Sequence, residues 1–393
     1  MKGGGRRVAI TGYGVVAPCG LGRKAFWDGL NGPGITGAKS IEIADWDPLP
    51  YFDNPKEARR ADRVEQLALA AAAEAFEHAG RPDVADDRFA TIFATGVGGL
   101  RSTQEQIEVL LTKGDRRVSP FLVPMMMPNA AGASISMRYG LRGPNETICT
   151  ACAASTHSIG YAARLISWGM CDAAVTGGAE SAGCSIGVAA FGNMTALSTS
   201  GSSRPFDVDR DGFVLGEGAG VLILEEWSMA EARGATIVGE VLGAASNADA
   251  HHITAPAPGG SGALACMRLA LADAELEPGA IGHVNAHGTS TPLNDAAEAS
   301  AVTELFGPEG VAVTSTKGVT GHALGAAGAL EAIAMLLAME NRAIPPTAGT
   351  TTVDPEFTID LVVGKARAWT PAPSISNSLG FGGHNGSIII GPV

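Results

Sequence analysis

The chain has 393 residues, of which 46% are hydrophobic and 17% charged, as in a globular enzyme with a large buried core. A formal net charge of -13 argues against general binding to nucleic acids. The 53 glycines are scattered rather than periodic, which excludes a collagen-like chain. The six cysteines lack the dense spacing of a disulfide scaffold, so we expect a reducing, cytoplasmic location.

Two stretches bear on export and membranes. The first seven residues contain Lys2, Arg6 and Arg7 and run directly into an apolar strand pattern, so we expect no signal peptide. The most apolar stretch, 329–339, is interrupted by Glu331 and falls short of the roughly eighteen uncharged residues of a membrane span. We therefore expect a core helix there and no contact with a membrane.

Apolar strand patterns alternate with helical ones along the whole chain. In the first half we predict strands over 7–18, 89–96, 173–178 and 218–224, and helices over 60–79, 102–111 and 228–233. In the second half we predict strands near 239, over 281–286 and 311–315, and near 361 and 388, with helices over 262–274, 295–305 and 325–340. This alternation predicts an α/β protein built from a duplicated unit, divided into residues 1–237 and 238–393.

A cysteine stands at one of the predicted strand-to-helix junctions. The stretch 147–166 approaches Cys152 as a strand and continues as a helix of small residues. Amide N–H groups and the dipole at a helix start favour a thiolate, so Cys152 is a candidate nucleophile. Cys149 completes a Cys-x-x-Cys pattern, but no thioredoxin-like context or second ligand pair accompanies it. We interpret Cys149 as a core residue.

Three other motifs suggest cofactor sites, and their surroundings argue against each. Residues 12–17 follow the dinucleotide fingerprint, but Pro18 occupies the first turn of the required helix. Residues 207–212 begin like a calcium loop, yet the bidentate glutamate is absent from its twelfth position. The two histidines of 283–287 are too far apart on a strand to share one metal ion. We expect no metal and no bound cofactor.

Further polar groups follow other predicted strands in glycine-rich turns. His287 follows one strand, and Lys317 and His322 follow the next. Phe381 lies in the last such turn, where we interpret it either as a core residue or as a gate that offers a backbone N–H to the nucleophile. Because strand-end loops on one side of a parallel sheet converge, we expect these groups to meet Cys152.

Together these motifs resemble the β-ketoacyl-acyl carrier protein synthases of the type II kind. The matching segments are Thr150-Ala-Cys152, Asn285 to Pro292, Ser315 to His322 and Gly380 to Gly383, and the resemblance runs from Arg7 to the C-terminus. It implies the thiolase fold, an α/β fold with two pseudo-duplicated halves in a five-layer αβαβα arrangement. It also implies a dimer, with itself or with a homologous subunit, and decarboxylative condensation of an acyl-enzyme with a malonyl group on an acyl carrier protein.

The resemblance implies a role for each site residue. Cys152 would carry the acyl chain, while His287 and His322 would bind the malonyl thioester carbonyl. Lys317 would be a charged site residue, with Glu331 and Glu298 as its candidate charge partners. Substrate would be bound by the backbone N–H of Phe381, by the hydroxyls of Thr289 and Thr291 on the phosphopantetheine, and by Phe191 in the acyl pocket. Arg59, Arg60 and Arg63 form either a dock for the carrier protein or a solvated helix face.

Several positions depart from typical members of this family. His384, Leu379 and Thr195 differ near the gate and the docking surface, and the methionines of 125–127 either line a tunnel or fill gaps. These departures leave open a fatty acid or a polyketide or polyene pathway, including an active ketosynthase paired with a chain-length partner. A non-decarboxylating thiolase or acyltransferase and a silent partner subunit are further alternatives, but the two histidines and the intact Cys152 argue against them.

Overall fold

The structure is a computed structural model that describes residues 5–393. The expectation of no signal peptide concerns residues 1–4 and so lies partly outside the described residues. The strands are β1 (Val8–Ala17), β2 (Gly20–Leu21), β3 (Phe89–Ala94), β4 (Asn145–Ile148), β5 (Ala173–Glu180), β6 (Gly218–Glu226), β7 (Gly239–Ala248), β8 (His283–Asn285), β9 (Ala312–Thr314), β10 (Ala343–Ile344), β11 (Asp360–Leu361), β12 (Arg367–Ala368), β13 (Ser374–Gly380) and β14 (His384–Gly391).

The helices alternate with these strands. They are α1 (Arg23–Leu30), α2 (Pro55–Ala58), α3 (Arg63–Ala79), α4 (Leu100–Lys113), α5 (Leu122–Met126), α6 (Ala130–Tyr139), α7 (Ala154–Ser167), α8 (Ser185–Asn193), α9 (Trp227–Ala232), α10 (Ser261–Ala274), α11 (Pro292–Phe306), α12 (Lys317–Thr320) and α13 (Ala327–Asn341).

The strand order repeats. The first strand set runs β1-β6-β5-β3-β4 and the second runs β7-β14-β13-β8-β9, with antiparallel, antiparallel, parallel and parallel pairings in both. A short antiparallel contact between β1 and β7 joins the two sets through Ala9 and Ile10. The predicted duplication of an α/β unit is therefore confirmed, whereas the boundary after residue 237 stays a prediction.

Helices cover both sets and separate them. α3 packs outside β1 and β6, and α10 packs outside β7 and β14. α7 and α13 pack against each other and against strands of both sets, so they form the central layer. Small residues permit this close approach, because a Cβ added at Gly328 would lie 2.0 Å from the Thr156 hydroxyl oxygen. The result is the predicted five-layer αβαβα arrangement.

A long apolar helix lies in this central layer. Residues Leu324–Asn341 are long and apolar enough to cross a membrane, yet 89% of this window is buried inside the protein. Burial on all sides explains the composition, because a helix surrounded by sheets and another helix has no face in water. The prediction of a core helix here is confirmed.

Sequence patterns missed some elements. Residues 376–385 were interpreted as one turn, but 376–380 belong to strand β13 (Ser374–Gly380), and the turn proper lies between β13 and β14. This strand buries the polar residues Ser374, Ser376, Asn377 and Ser378, so the apolar alternation that marks a strand is absent. Helices α5, α6 and α8 were also missed, because prolines and small residues conceal their periodicity.

Candidate active site

The ends of several parallel strands surround one cavity of about 270 Å³. Cys152 follows β4, His287 follows β8 and His322 follows β9, and all three line the cavity. Four predicted substrate-binding residues line it as well: Phe191, Thr289, Thr291 and Phe381. The structure thus brings together the nucleophile, both histidines and the substrate-binding residues that the sequence singled out.

Cys152 lies in the 3-10 turn Ala151–Ala153, directly before α7. Ala151 has a left-handed φ of 50°, which bends the chain sharply into this turn. Burial raises the pKa of the Cys152 thiol to about 12, although the charge of Lys317 and a backbone N–H of Phe381 both lower it. The expectation of a thiolate stabilised by the helix start is therefore wrong, because desolvation outweighs those contributions.

A nitrogen base lies beside the sulfur. His322 Nε2 is 3.0 Å from Cys152 Sγ, and the rings of His322 and His287 are 5.3 Å apart and nearly perpendicular. Burial lowers the pKa of both histidines well below the usual value, and the nearby charge of Lys317 lowers it further. Both imidazoles are therefore neutral at pH 7, so each has one N–H to donate.

Lys317 is buried with an acid as its partner. Its Nζ forms an ion pair with Glu331 and donates to the backbone carbonyl of His287 at 2.5 Å. Both charged side chains are only 1% exposed. Lys317 is therefore fixed in place, and its charge lies where it opposes protonation of the two histidines.

Glu298, the other candidate partner of Lys317, forms no ion pair with it. Its carboxylate instead accepts the backbone N–H groups of His287 and Gly288, each at 2.8 Å. Burial raises the pKa of Glu298 to about 7, partly offset by these hydrogen bonds. Glu298 is therefore not a direct ion-pair partner of Lys317, although the charge of Lys317 also lowers the pKa of Glu298. Its carboxylate instead anchors the turn that presents His287.

The turn that carries Phe381 closes one side of the cavity. Gly382 and Gly383 have left-handed φ angles of 85° and 75°, which glycine adopts without strain. Their backbone atoms are tied to a neighbouring loop, since Gly382 N–H donates to the Ile253 carbonyl at 2.7 Å and Asp249 N–H donates to the Gly383 carbonyl at 2.8 Å. The Phe381 turn is thus held in place by main-chain hydrogen bonds to that loop.

Comparison with known proteins identifies the family. Residues 33–230 match the Beta-ketoacyl synthase, N-terminal domain, and residues 238–351 match the Beta-ketoacyl synthase, C-terminal domain. The chain belongs to the β-ketoacyl synthase family. It is 42% identical to the 3-oxoacyl-[acyl-carrier-protein] synthase 2 of Synechocystis sp., across 97% of this chain and 96% of that protein.

Solved structures agree with the family and the fold. The chain is similar to "The ishigamide ketosynthase/chain length factor", with a TM-score of 0.92 and 35% identity over 99% of this chain and 100% of the other. It is also similar to the type II PKS ketosynthase solved with its acyl-carrier protein (AntDE:AntF), with a TM-score of 0.91 and 30% identity over 99% and 100% of the two chains. The predicted thiolase fold is confirmed.

The apolar end of the cavity in this β-ketoacyl synthase is aromatic. Phe213, which sequence reasoning did not single out, packs edge-on against Phe191 and His322, with ring centres 5.6 and 5.1 Å away. Met194 also lines the cavity, whereas the methionines of 125–127 do not. Two of those methionines, at 126 and 127, are instead on the surface, so the tunnel interpretation of this stretch is not supported.

A second residue missed from the sequence, His157 on α7, connects two of the turns. Its Nε2 is 3.0 Å from the Asn385 carbonyl oxygen and its Nδ1 is 2.8 Å from the Thr150 hydroxyl. Because a carbonyl only accepts, Nε2 carries the proton and Nδ1 accepts from Thr150. The bridge links the turn before Cys152 to the strand after the Phe381 turn, and no sequence motif marked it.

The three arginines predicted near a docking surface separate in the structure. Arg59 and Arg60 are exposed at the end of α2, and the Arg60 guanidinium lies 4.2 Å from the ring centre of Phe121. Arg63 points inward, where it holds Glu217 through contacts of 2.6 and 2.8 Å and exposes only 19% of its side chain. Arg63 is therefore occupied within the fold and is not part of an exposed basic patch.

The nucleophile and the histidines also form a possible ligand set. One donor atom from each of Cys152, His287 and His322 lies within 4.8 Å of the other two. A thiolate with two imidazoles is a donor set that suits zinc. The sequence instead predicts Cys152, His287 and His322 as catalytic groups and predicts no resident metal.

Proposed function

We propose that the chain catalyses decarboxylative condensation of an acyl group on Cys152 with a malonyl group, both delivered by an acyl carrier protein. The observation that carries the proposal is the convergence of one thiol and two neutral imidazoles within 4.8 Å at the base of an apolar cavity. The names of the 42%-identical relative and of the similar ketosynthases support the same reaction.

In the first step, the Cys152 sulfur attacks the thioester carbonyl of the acyl carrier. A new S–C bond forms, the carrier S–C bond breaks, and the thiol proton passes by way of His322 to the departing carrier sulfur. The backbone N–H groups of Cys152 and Phe381, both of which lower the pKa of the Cys152 thiol, are placed to stabilise the carbonyl oxyanion.

In the second step, His287 and His322 donate their N–H groups to the malonyl thioester carbonyl. The C–C bond to the carboxylate breaks, CO2 leaves, and the electron pair becomes an enolate whose oxygen is held by the two imidazoles. The enolate carbon attacks the acyl-Cys152 carbonyl, the S–C bond to Cys152 breaks, and the sulfur regains a proton from solvent. Lys317 fixes His287 through its carbonyl and keeps both rings neutral.

The carrier reaches this site through its phosphopantetheine arm. We assign the arm to Thr289 and Thr291, whose hydroxyls lie 2.9 Å apart at the cavity wall. For the protein surface of the carrier we assign Arg59 and Arg60, which form no ion pair within the described part of the chain. Free cations on a protein of net charge -13 suit an acidic partner.

A more specific alternative is that this chain is the active ketosynthase of a heterodimer with a chain-length partner. The similar solved structures named as ketosynthase with chain length factor support it, while the relatives named 3-oxoacyl-[acyl-carrier-protein] synthase 2, at 41–42% identity, equally support the first form. A thiolase without decarboxylation needs a second active cysteine, and Cys149 does not line the cavity. Six free cysteines suit a reducing, cytoplasmic location.

The test uses acyl-carrier and malonyl-carrier substrates with the purified chain, alone and with a candidate partner subunit. Intact-mass analysis is expected to find one acyl group on Cys152, followed by release of CO2 and a β-ketoacyl carrier after malonyl-carrier addition. C152A is expected to accept no acyl group, and acylation of that variant would refute the assignment. Native mass spectrometry of the complex separates the homodimer from the heterodimer.

A further inference from the structure

One buried carboxylate near the active site has no part in the proposed reaction. Glu180 is the last residue of β5, is 0% exposed and has no cation as an ion-pair partner among residues 5–393. A carboxylate in this setting is destabilised, and burial raises the pKa of Glu180 to about 7. Because burial of this carboxylate costs free energy, we expect it to have a role that an apolar side chain could not fill.

The partners of Glu180 belong to two different turns. One carboxylate oxygen accepts the N–H of Gly96 at 2.7 Å, directly beyond β3, and the N–H of Gly325 at 3.2 Å. The Thr95 hydroxyl donates to the other oxygen at 3.3 Å. A Cβ added at Gly325 would lie 2.1 Å from the Gly96 nitrogen, so the two turns are in direct contact and Glu180 ties them together.

The second of these turns leads directly from the catalytic histidine. The 3-10 turn Leu324–Ala326 begins two residues after His322, and Leu324 has a left-handed φ of 41°. Leu324 packs in the same apolar cluster as Cys152. A strained turn persists only where its surroundings hold it, and the Gly325 N–H bond to Glu180 is such a restraint.

We propose that Glu180 is a positioning residue that holds the Leu324–Ala326 turn, and with it His322, against Cys152. The inference rests on the proposed function, since it assigns Glu180 a part in the same site. Its negative charge would add to the burial that keeps the Cys152 thiol protonated until a substrate and His322 draw the proton away.

The charge of Glu180 should shift the pKa of the Cys152 thiol in a definite direction. An ionised Glu180 raises the pKa of the Cys152 thiol, and it also raises that of Cys149, whereas Lys317 on the other side lowers that of Cys152. The remaining titratable groups at the sulfur, His322 and its neighbour His287, are neutral at pH 7. Because the thiol titrates above pH 7, where Glu180 is charged, removal of that charge lowers the pKa of Cys152.

The experiment compares E180Q, E180D and a matched control, E65Q, in the full chain. Glu65 is a second buried carboxylate whose pKa burial raises to about 7, but it caps α3 and bonds Ser134, away from the cavity. The parent and all variants carry C149S, because Cys149 is exposed, so that its interpretation as a core residue is wrong, and because it lies on the same tryptic peptide as Cys152. The first readout is iodoacetamide alkylation of Cys152 against pH, by mass spectrometry. The second is turnover of malonyl-carrier.

E180Q keeps an oxygen acceptor and loses the charge, so its alkylation profile is expected to move about one unit to lower pH. E180D keeps the charge but withdraws the carboxylate, so its profile should stay near that of the parent while turnover falls about tenfold. E65Q should leave both readouts unchanged. The proposal is overturned if E180Q leaves the profile in place or if E180D turns over at the parent rate.

The experiment distinguishes failure of the Glu180 assignment from failure of the proposed function. Alkylation needs no substrate, so the Glu180 assignment is tested even if the parent chain does not condense any carrier substrate. Failure of the parent to release CO2 from malonyl-carrier would instead refute the proposed function. Circular dichroism of E180Q and E180D confirms that each variant is folded before either readout is compared.

Discussion

The buried ion pair between Lys317 and Glu331 offers a sharp test of the site. In K317M the Glu331 carboxylate, 1% exposed, loses its cation and keeps only a long contact of 3.5 Å from the Ser378 hydroxyl. Removing one partner of a buried pair costs about 3–5 kcal/mol, because the other charge is left without compensation. Against a total stability of about 5–15 kcal/mol, this is a large loss.

The loss of stability in K317M should depend on pH, and the burial of Glu331 determines the direction of that dependence. Burial raises the pKa of Glu331, and in the native chain Lys317 opposes that rise. Without Lys317, the folded state of K317M binds a proton at Glu331 more tightly than the unfolded state does. Stability of K317M relative to the parent is therefore best near pH 5 and falls as the pH rises through the raised pKa of Glu331.

Urea unfolding followed by tryptophan fluorescence at pH 5, 7 and 8 measures the effect, since the midpoint falls with stability. The control is the double variant K317M/E331Q, which removes the stranded charge and should recover most of the lost stability, with a coupling of at least about 2 kcal/mol. Neither K317M nor the double variant should catalyse condensation, because both lack the lysine that fixes His287. A loss below about 1 kcal/mol for K317M at pH 7, as for a surface pair, would refute the reasoning.

Two further predictions concern the surface and the acid limit of stability. R59E/R60E should raise KM for carrier substrates about tenfold with little change in kcat, an effect that high salt removes, whereas K24E, at a side chain that is 91% exposed, should not. An unchanged KM would rule out the dock. Arg88 holds the pKa of Asp172 at about 2, so this carboxylate stabilises the fold above the unfolded pKa and the contribution is lost as the pH falls toward 2. D172N should therefore flatten the stability curve between pH 4 and 2, measured as the melting temperature, and a parent-like slope would contradict the assignment.

The sequence was informative where chemistry depends on residue type at a strand end. Cys152, His287 and His322 were found because each follows an apolar run and precedes small residues. The same logic found Lys317 but could not choose between its two candidate acids, because that choice depends on which helix crosses the site in three dimensions. Glu331 lies on the central helix α13 and reaches the lysine, whereas Glu298 lies on α11 and meets the backbone.

Burial was the main quantity that the sequence could not supply. The helix start beside Cys152 predicted a thiolate, and only the degree of desolvation reversed the sign of its pKa shift. Burial also explains why Arg63 was grouped with its exposed neighbours and why β13, a strand of buried hydroxyls and amides, had no recognisable pattern. His157 and Glu180 were missed because each has a main-chain partner more than 80 residues away in the chain, and main-chain atoms leave no signal in the sequence.

The repeated strand order places Cys152 and His322 at equivalent points. Each follows the strand that is third in chain order within its set, β4 or β9, and each precedes one of the two central helices, α7 or α13. Two identical chains related by a two-fold axis would present the same side chain twice at this point, either two thiols or two imidazoles. Within one chain, the two copies differ, so a nucleophile faces its base. Two linked but different copies can therefore place a thiol opposite an imidazole, an arrangement that two identical copies related by a two-fold axis cannot form.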